Sequence, residues 1–322
     1  MAEKRRGMDR REFLRWGTFG ALGVGVAGAN LALPIDGKPA DPQAPMPERE
    51  LGRTGHSVRL FSLGGQATVE KENRADDAVG IIHRAIDLGV NYLDTAPYYG
   101  PSQDYFGEVM KDRRREVFLA SKTHDRTRDG SLKLLEDSLK RLQTDQIDLW
   151  QLHNIRTDAD LKKIFAKDGA IHALREAQEQ KMVRFLGITG HRDPEVLIRG
   201  IERFNFDCIL MSLNAADRHH LSFIEKLLPL AVKKQMGVIG MKVPARGRLF
   251  REEGLRNMKE AVDYVWTLPV STIIVGCDSI PQLEENIRLA QEFEPMAPEK
   301  MAELERLTAS YVKEASFFKY WS

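Results

Sequence analysis

The chain has 322 residues, 42% of them hydrophobic, and its 48 basic side chains almost balance its 47 acidic ones. That length allows one large α/β barrel or two ordinary domains, with a sizeable core either way. A net charge of +1 gives no basis for a nucleic-acid partner, and no apolar run of membrane-spanning length follows residue 34. Cys208 and Cys277 each lie in an apolar run, which predicts two buried thiols rather than a disulfide.

The first 33 residues are typical of an export signal. Asp9-Arg-Arg-Glu-Phe-Leu14 follows a basic start and precedes the small, mildly apolar stretch Gly17–Leu33. This pattern resembles the signal of the bacterial twin-arginine (Tat) route, with Asp9 where Ser or Thr is usual, and Ala27-Gly-Ala29 offers a cleavage site. The resemblance implies the Tat machinery as a partner and a periplasmic or other extracytoplasmic location, membrane-tethered if the signal stays uncleaved. A basic tail followed by a glycine-rich helix is the alternative.

The rest of the chain divides into a Pro-rich spacer, residues 34–47, and one folded domain, residues 48–322. A Gly-rich turn within Glu48–Gln66 predicts a β-hairpin that leads into a first barrel strand near Arg59–Gly65. Strands and amphipathic helices then alternate, with strands expected at 92–95, 117–122, 147–153, 183–189, 208–213, 237–243 and 272–277. A further helix is predicted at 298–314.

Eight strand–helix units predict a parallel (β/α)8 TIM barrel with an N-terminal hairpin and an extra C-terminal helix. A doubly wound sheet is the alternative, but Gly64-Gly65-Gln66 does not fit the Gly-x-Gly-x-x-Gly turn of dinucleotide-binding sheets. The aromatic tail Phe317–Ser322 is expected either to pack on the barrel or to line the mouth of a pocket.

Three consecutive predicted strands end in a titratable side chain. These are Asp94, Lys122 and His153, and Tyr99 lies on the loop that follows the first of them. Loops at the C-terminal ends of barrel strands converge on the axis, so the four side chains are expected to form one site. A surface loop Tyr beside an Asp is the plainer interpretation of the first strand end taken alone.

Together these side chains suit the protonation of a carbonyl oxygen. A nearby ammonium should lower the pKa of the phenol, a carboxylate should keep the lysine charged, and a histidine can orient the carbonyl. Since no side chain delivers hydride, this interpretation requires a nicotinamide cofactor.

The chain resembles the aldo-keto reductase family from about Arg49 to Asn286. The resemblance rests on Leu51-Gly-Arg-Thr-Gly55, Asp94-Thr-Ala-x-x-Tyr-Gly100 and Asp148-Leu-x-x-x-His153. It implies carbonyl reduction or alcohol oxidation, with Tyr99 as general acid or base, Lys122 and Asp94 tuning it, and His153 polarising the substrate. A small carbonyl or alcohol is then the substrate, and no metal is expected, because His191, His219 and His220 lack ligand spacing.

Cofactor positions depart from the family pattern in places. Gly187-Ile-Thr-Gly190 replaces Gly-x-Ser-Asn, Met241-Lys-Val-Pro244 replaces aromatic-Ser-Pro-Leu, and Asp278 lies where a basic residue often meets the 2′-phosphate. The resemblance favours NADP(H) over NAD(H), although Asp278 keeps NAD open. The expected cofactor-binding residues are Thr189, Asn214, Lys242, Gly276, Asp278, Ser279, Gln282, Glu285 and Asn286. The departures also leave open a non-catalytic barrel that senses a cofactor or binds a partner.

Overall fold

A computed structural model describes residues 40–42 and 44–320, and the predicted export signal lies outside these residues. Eight parallel strands close into a barrel, in which each strand pairs with the next one along the chain and the last pairs with the first, as the alternation of strands and helices predicts. The strands are β3 (Phe61–Gly64), β4 (Tyr92–Asp94), β5 (Phe118–Thr123), β6 (Ile147–Leu152), β7 (Val183–Gly190), β8 (Cys208–Ser212), β9 (Gly237–Met241) and β10 (Thr272–Val275).

A β-hairpin precedes the barrel and closes its N-terminal end. Strands β1 (Glu48–Glu50) and β2 (Ser57–Arg59) pair antiparallel, with Glu48 opposite Arg59. Arg49 of this hairpin donates to the carbonyl oxygens of Trp266 and Val270, at 2.7 and 2.8 Å. The hairpin is therefore anchored to the segment that leads into the last barrel strand.

A charge network lies beside the hairpin at the same end of the barrel. Asp148, at the start of β6, accepts from Arg114 at 2.8 Å and from Arg184 at 2.7 Å. Arg184 also hydrogen-bonds His56 of the hairpin turn. Burial and the Arg184 charge lower the pKa of His56, so this imidazole is neutral at pH 7.

Helices cover the outside of the barrel because their apolar faces need burial against the strands. In α1 (Ala75–Asp87), Ala78, Ile81, Ile82, Ala85 and Ile86 are buried at helical spacing. The others are α2 (Ser102–Arg113), α3 (Arg128–Arg141), α4 (Asp158–Ile164), α5 (Ala170–Glu179), α6 (Pro194–Arg203), α7 (Phe223–Lys226), α8 (Leu228–Lys233), α9 (Met258–Thr267), α10 (Ile280–Gln291), α11 (Pro298–Thr308) and α12 (Val312–Ala315).

The additional helix predicted at 298–314 is interrupted, since a 3₁₀ turn at Ala309–Tyr311 separates α11 from α12. Cys208 and Cys277 are buried free thiols, as predicted. Ala40 and Met46, from the predicted spacer, are each 2% exposed and belong to the core. Across residues 40–42 and 44–320, no helix is both long and apolar enough to cross a membrane.

Candidate active site

The four predicted catalytic side chains meet at the C-terminal end of the barrel. Asp94 is the last residue of β4, Lys122 lies near the end of β5, and His153 directly follows β6. Because β4, β5 and β6 are neighbours in one parallel sheet, their ends lie side by side. Tyr99 is on the loop between β4 and α2, as the sequence predicts.

A tight turn fixes the loop that carries Tyr99. The Tyr99 N–H donates to the carbonyl of Ala96 at 3.0 Å, and the Tyr99 carbonyl accepts from the N–H of Ser102 at 2.9 Å. Gly100 has φ = 49°, and a Cβ there would lie 2.6 Å from the carbonyl oxygen of Glu70. Only glycine fits this backbone without strain, so Gly100 helps to fix the turn that carries Tyr99.

Lys122 and Asp94 form a buried ion pair beneath Tyr99. Each side chain is 1% exposed, and the Lys122 ammonium donates to Asp94 Oδ1 and, at 2.8 Å, to the carbonyl of Thr95. Lys122 Nζ lies 4.9 Å from the centroid of the Tyr99 ring. The Lys122 ammonium is thus held by two acceptors, the Asp94 carboxylate and the Thr95 carbonyl, and its charge lies next to the Tyr99 phenol.

Burial and charge oppose each other in this cluster. Burial disfavours a charged Lys122, yet the Asp94 carboxylate raises the pKa of this lysine above its ordinary value, so it stays protonated as predicted. Burial likewise raises the pKa of Tyr99 above its ordinary value and outweighs the opposing Lys122 charge. The expected net lowering of the Tyr99 pKa is therefore wrong for the protein on its own.

His153 approaches Tyr99 edge to face, with ring centroids 5.8 Å apart at an interplanar angle of 85°. Burial first, and then the charge of Lys122, lower the pKa of His153 well below its ordinary value. The imidazole is accordingly neutral at pH 7 and can donate one N–H. Arg126 fixes the backbone of this residue, because its guanidinium donates to the His153 carbonyl at 2.9 Å.

Sequence reasoning missed Gln151, which is part of the same cluster. Its side-chain amide donates to Asp94 Oδ2 at 3.2 Å, and the residue is fully buried. A polar residue two positions before His153, on the same face of a strand, is the signal that could have found it. His124 was also missed, and the centroids of its ring and the Tyr98 ring are 3.7 Å apart.

Thr189, Asn214 and Lys242 form a second group at the ends of β7, β8 and β9. The Thr189 hydroxyl accepts from the N–H of Asn154 at 2.7 Å, and within the part of the chain that the structure describes its own O–H has no acceptor. Asn214 Nδ2 donates to the carbonyl of Lys242 at 3.2 Å, which steadies Lys242 in a left-handed backbone at φ = 62°. Burial and the nearby Arg246 lower the pKa of Lys242 to about 8.

The close approach of a neighbouring backbone explains why Gly190 replaces the asparagine of the family pattern. A Cβ on Gly190 would lie 2.8 Å from the carbonyl oxygen of Ile155. An asparagine at this position would require the loop after β6 to move. One of the usual nicotinamide contacts is therefore excluded by the loop that also carries His153.

The remaining predicted cofactor residues lie together after β10 and at the start of α10. Ser279 caps α10 and accepts from the N–H of Gln282, whose side chain accepts from the N–H of Asp278 at 2.6 Å. Asp278 forms an ion pair with Lys71 at 2.8 Å, and both side chains are more than half exposed. Gly276, Glu285 and the buried Asn286, which donates to Cys277 Sγ at 3.5 Å, complete the group.

The C-terminal aromatic segment packs over the loops after β7, β8 and β9, so it lies at the mouth and partly in the core. The Phe318 carbonyl accepts from His191 Nδ1 at 3.2 Å, and Arg248 lies over the ring of Phe317. Lys319 is buried, and its ammonium donates to Asp217 at 2.7 Å and to the carbonyls of His220 and Leu221. Trp321 and Ser322, the last two residues of the predicted tail, lie outside the described residues.

The chain belongs to the aldo/keto reductase family of oxidoreductases, whose model matches residues 60–315. It is 28% identical over 293 residues to the uncharacterized oxidoreductase YqkF of Bacillus subtilis (strain 168), covering 76% of this chain and 91% of that protein. It is 27% identical over 309 residues to L-galactose dehydrogenase of Arabidopsis thaliana, covering 80% and 93%. Among solved structures, the holo form of aldo-keto reductase AKR11C1 from Bacillus halodurans superposes with a TM-score of 0.69 at 26% identity, covering 82% of this chain and 96% of that one.

Proposed function

We propose that the protein is an NAD(P)(H)-dependent oxidoreductase that interconverts an aldehyde or ketone and an alcohol, with Tyr99 as the general acid or base. The observation that carries this proposal is the Asp94–Lys122 pair held beneath Tyr99, with the neutral His153 beside it. The protonated Tyr99 and Lys122 and the neutral His153 are in the states that carbonyl reduction needs at neutral pH.

In the reductive direction the carbonyl oxygen must receive a proton as the carbon accepts a hydride. The raised pKa of Tyr99 keeps this phenol protonated and ready to donate. Lys122 stabilises the phenolate that remains, because its charge lies 4.9 Å from the ring centroid. The N–H of neutral His153 holds the carbonyl oxygen in line with the phenol.

The residues around this cluster fit a nicotinamide dinucleotide, which would supply the hydride when bound. The Thr189 hydroxyl and one N–H of Asn214 remain available to hold a carboxamide. Lys242 carries positive charge at the mouth, and the N-terminus of the twelve-residue α10 beside Ser279 favours a phosphate.

NADP(H) is proposed over NAD(H) because Asp278 does not present an unopposed negative charge. Its ion pair with Lys71 places a cation at the position where the family meets the 2′-phosphate. We take the substrate to be a small hydrophilic carbonyl or alcohol, in keeping with the similarity to L-galactose dehydrogenase.

Two single substitutions, one at Tyr99 and one at the neighbouring Tyr98, test the role of Tyr99. The full chain, Tyr99→Phe and Tyr98→Phe are titrated with NADPH and NADH by fluorescence and assayed for reduction of 4-nitrobenzaldehyde and glyceraldehyde. Loss of a general acid lowers kcat by roughly 10²–10⁴-fold, so Tyr99→Phe should lose turnover and keep cofactor affinity. Tyr98→Phe changes a 64% exposed phenol on the same loop and should behave as the parent.

The same assay addresses the second candidate, a barrel that binds cofactor without turnover. The observation that favours this candidate is the pair of departures at Gly190 and Met241, which remove an amide contact and an aromatic ring from the expected nicotinamide site. Tight cofactor binding with no reduction by the parent chain would select it. Reduction by Tyr99→Phe at the parental rate would refute the assigned acid.

We further propose that the protein is exported by the Tat route, on the strength of Arg10, Arg11 and the Phe13-Leu14 pair that follows. Export of a folded barrel would let the cofactor bind before translocation. Replacing both arginines by lysine should retain the chain in the cytoplasm, as measured by cell fractionation. Unchanged periplasmic recovery of that variant would argue against the route.

A further inference from the structure

Gln151 occupies a defined position between the strands that carry the proposed chemistry. In the sheet register it lies opposite Lys122 of β5 on one side and opposite Gly187 of β7 on the other. Its amide donates to Asp94 Oδ2 at 3.2 Å, while Lys122 binds Oδ1. The Asp94 carboxylate thus has one donor on each oxygen.

The direction of the Gln151 amide follows from the chemistry of its partner. An ionised carboxylate only accepts hydrogen bonds, so the NH₂ group must face Asp94. Gln151 Oε1 is then left buried without a partner among the described residues. The contact with Asp94 is made even though this carbonyl oxygen is unsatisfied.

Gly187 makes room for this arrangement. A Cβ at position 187 would lie 2.8 Å from Gln151 Cγ and 3.2 Å from Leu149 Cδ1. Any side chain on β7 at this level would therefore push Gln151 away from its place. Gly187 therefore affects the position of Gln151 sterically and does not itself contact a charged group.

We infer that Gln151 is a positioning residue, which holds Asp94 ionised and paired with Lys122 so that the lysine stays under Tyr99. The inference rests on the proposed function for its effect on turnover. The other titratable groups whose charges act together with Asp94 are Lys122, Tyr99 and Tyr92. Burial raises the pKa of Asp94, and Lys122 and Gln151 oppose that rise, so removal of the amide should move the carboxyl titration to higher pH.

Two variants remove the contact in different ways. Gln151→Met keeps the length of the side chain and deletes the donor, and Gly187→Ala keeps the donor and displaces it. Both should move the acid limb of kcat/KM by about one pH unit upward, which corresponds to a tenfold change in proton affinity. Cofactor affinity should stay at the parental value, because neither change alters a proposed cofactor contact.

Gln103→Met is the matched control. Gln103 is also fully buried, and its amide donates to Ser121 and Ser138 at 2.8 and 3.0 Å, away from Asp94. Loss of this amide should lower thermal stability and leave the pH profile unchanged. A parental pH profile in Gln151→Met, with the protein folded, would overturn the inference.

A titration that needs no turnover separates this inference from the proposed function. The chain is labelled with [γ-¹³C]Asp, and the Asp94 resonance is assigned with Asp94→Asn. A higher titration midpoint in Gln151→Met and Gly187→Ala supports the positioning role even if the parent reduces no carbonyl, an outcome that would refute the function alone. An unchanged midpoint refutes the role whatever the activity.

Discussion

The buried ion pair between Lys319 and Asp217 provides a quantitative test of how the C-terminal segment is held. Both side chains are almost fully buried, at 0% and 2% exposure. Lys319→Met removes the three hydrogen bonds of the ammonium and leaves the Asp217 carboxylate in the core. Breaking a buried pair from one side typically costs about 3–5 kcal/mol of unfolding free energy.

The lower end of that range is expected here, about 3 kcal/mol, because Asp217 keeps hydrogen bonds from Ser222 and the N–H of Ile224. For a domain of this size the loss corresponds to a decrease in Tm of roughly 5 °C. Urea unfolding and calorimetry measure both quantities. The exposed Lys313→Met on α12 is the control and should change stability by less than about 0.5 kcal/mol.

The double variant Lys319→Met, Asp217→Asn decides the cause of the loss. The asparagine can still accept from the N–H of Ile224 and carries no charge, so the double variant should recover about 1–2 kcal/mol relative to Lys319→Met. A single variant as stable as the parent would refute the reasoning, since the pair would then contribute nothing. Additive losses in the double variant would show that the two charges do not interact.

Two further predictions concern the cofactor and the pH dependence of stability. Lys71→Met should weaken NADPH binding several-fold more than NADH binding, because Lys71 is the cation beside Asp278; equal effects on the two titrations would exclude contact with the 2′-phosphate. Burial, followed by the charge of Lys242, lowers the pKa of His191 to about 3. The unfolded state therefore binds a proton more readily than the folded state. The contribution of His191 to the free energy of unfolding is present above about pH 6.5 and is lost as the pH falls. Relative to pH 7, the loss should reach about 2 kcal/mol at pH 5, and His191→Asn, which can still donate to Phe318, should remove that part of the slope in urea titrations.

The barrel and the catalytic cluster could be predicted because their signals are local in the sequence. Each barrel strand is a short apolar run, and Asp94, Lys122 and His153 each stand at or near the end of one. Closure of a parallel barrel then brings these ends together without further information. The loop position of Tyr99 followed in the same way, because this residue comes shortly after the strand that ends at Asp94.

Interactions that depend on strand register or on distant contacts could not be predicted. Gln151 reaches Asp94 because β6 pairs with β5 in one particular register, and no local pattern reports that register. Lys319 lies 102 residues from Asp217, so only the folded chain shows the pair. The direction of the shift in the Tyr99 pKa could not be predicted either, because it depends on the balance between burial and the Lys122 charge.

The first and last residues of the motif Asp148-Leu-x-x-x-His153 lie at opposite ends of the barrel. Asp148 joins Arg114 and Arg184 at the closed end, whereas His153 faces Tyr99 at the open end. A homologue of this barrel that had lost oxidoreductase activity would still need Asp148 to balance the positive charges of Arg114 and Arg184. Genome surveys that score this motif as a whole would therefore count inactive homologues as reductases, and a search for lost activity should score His153 separately from Asp148.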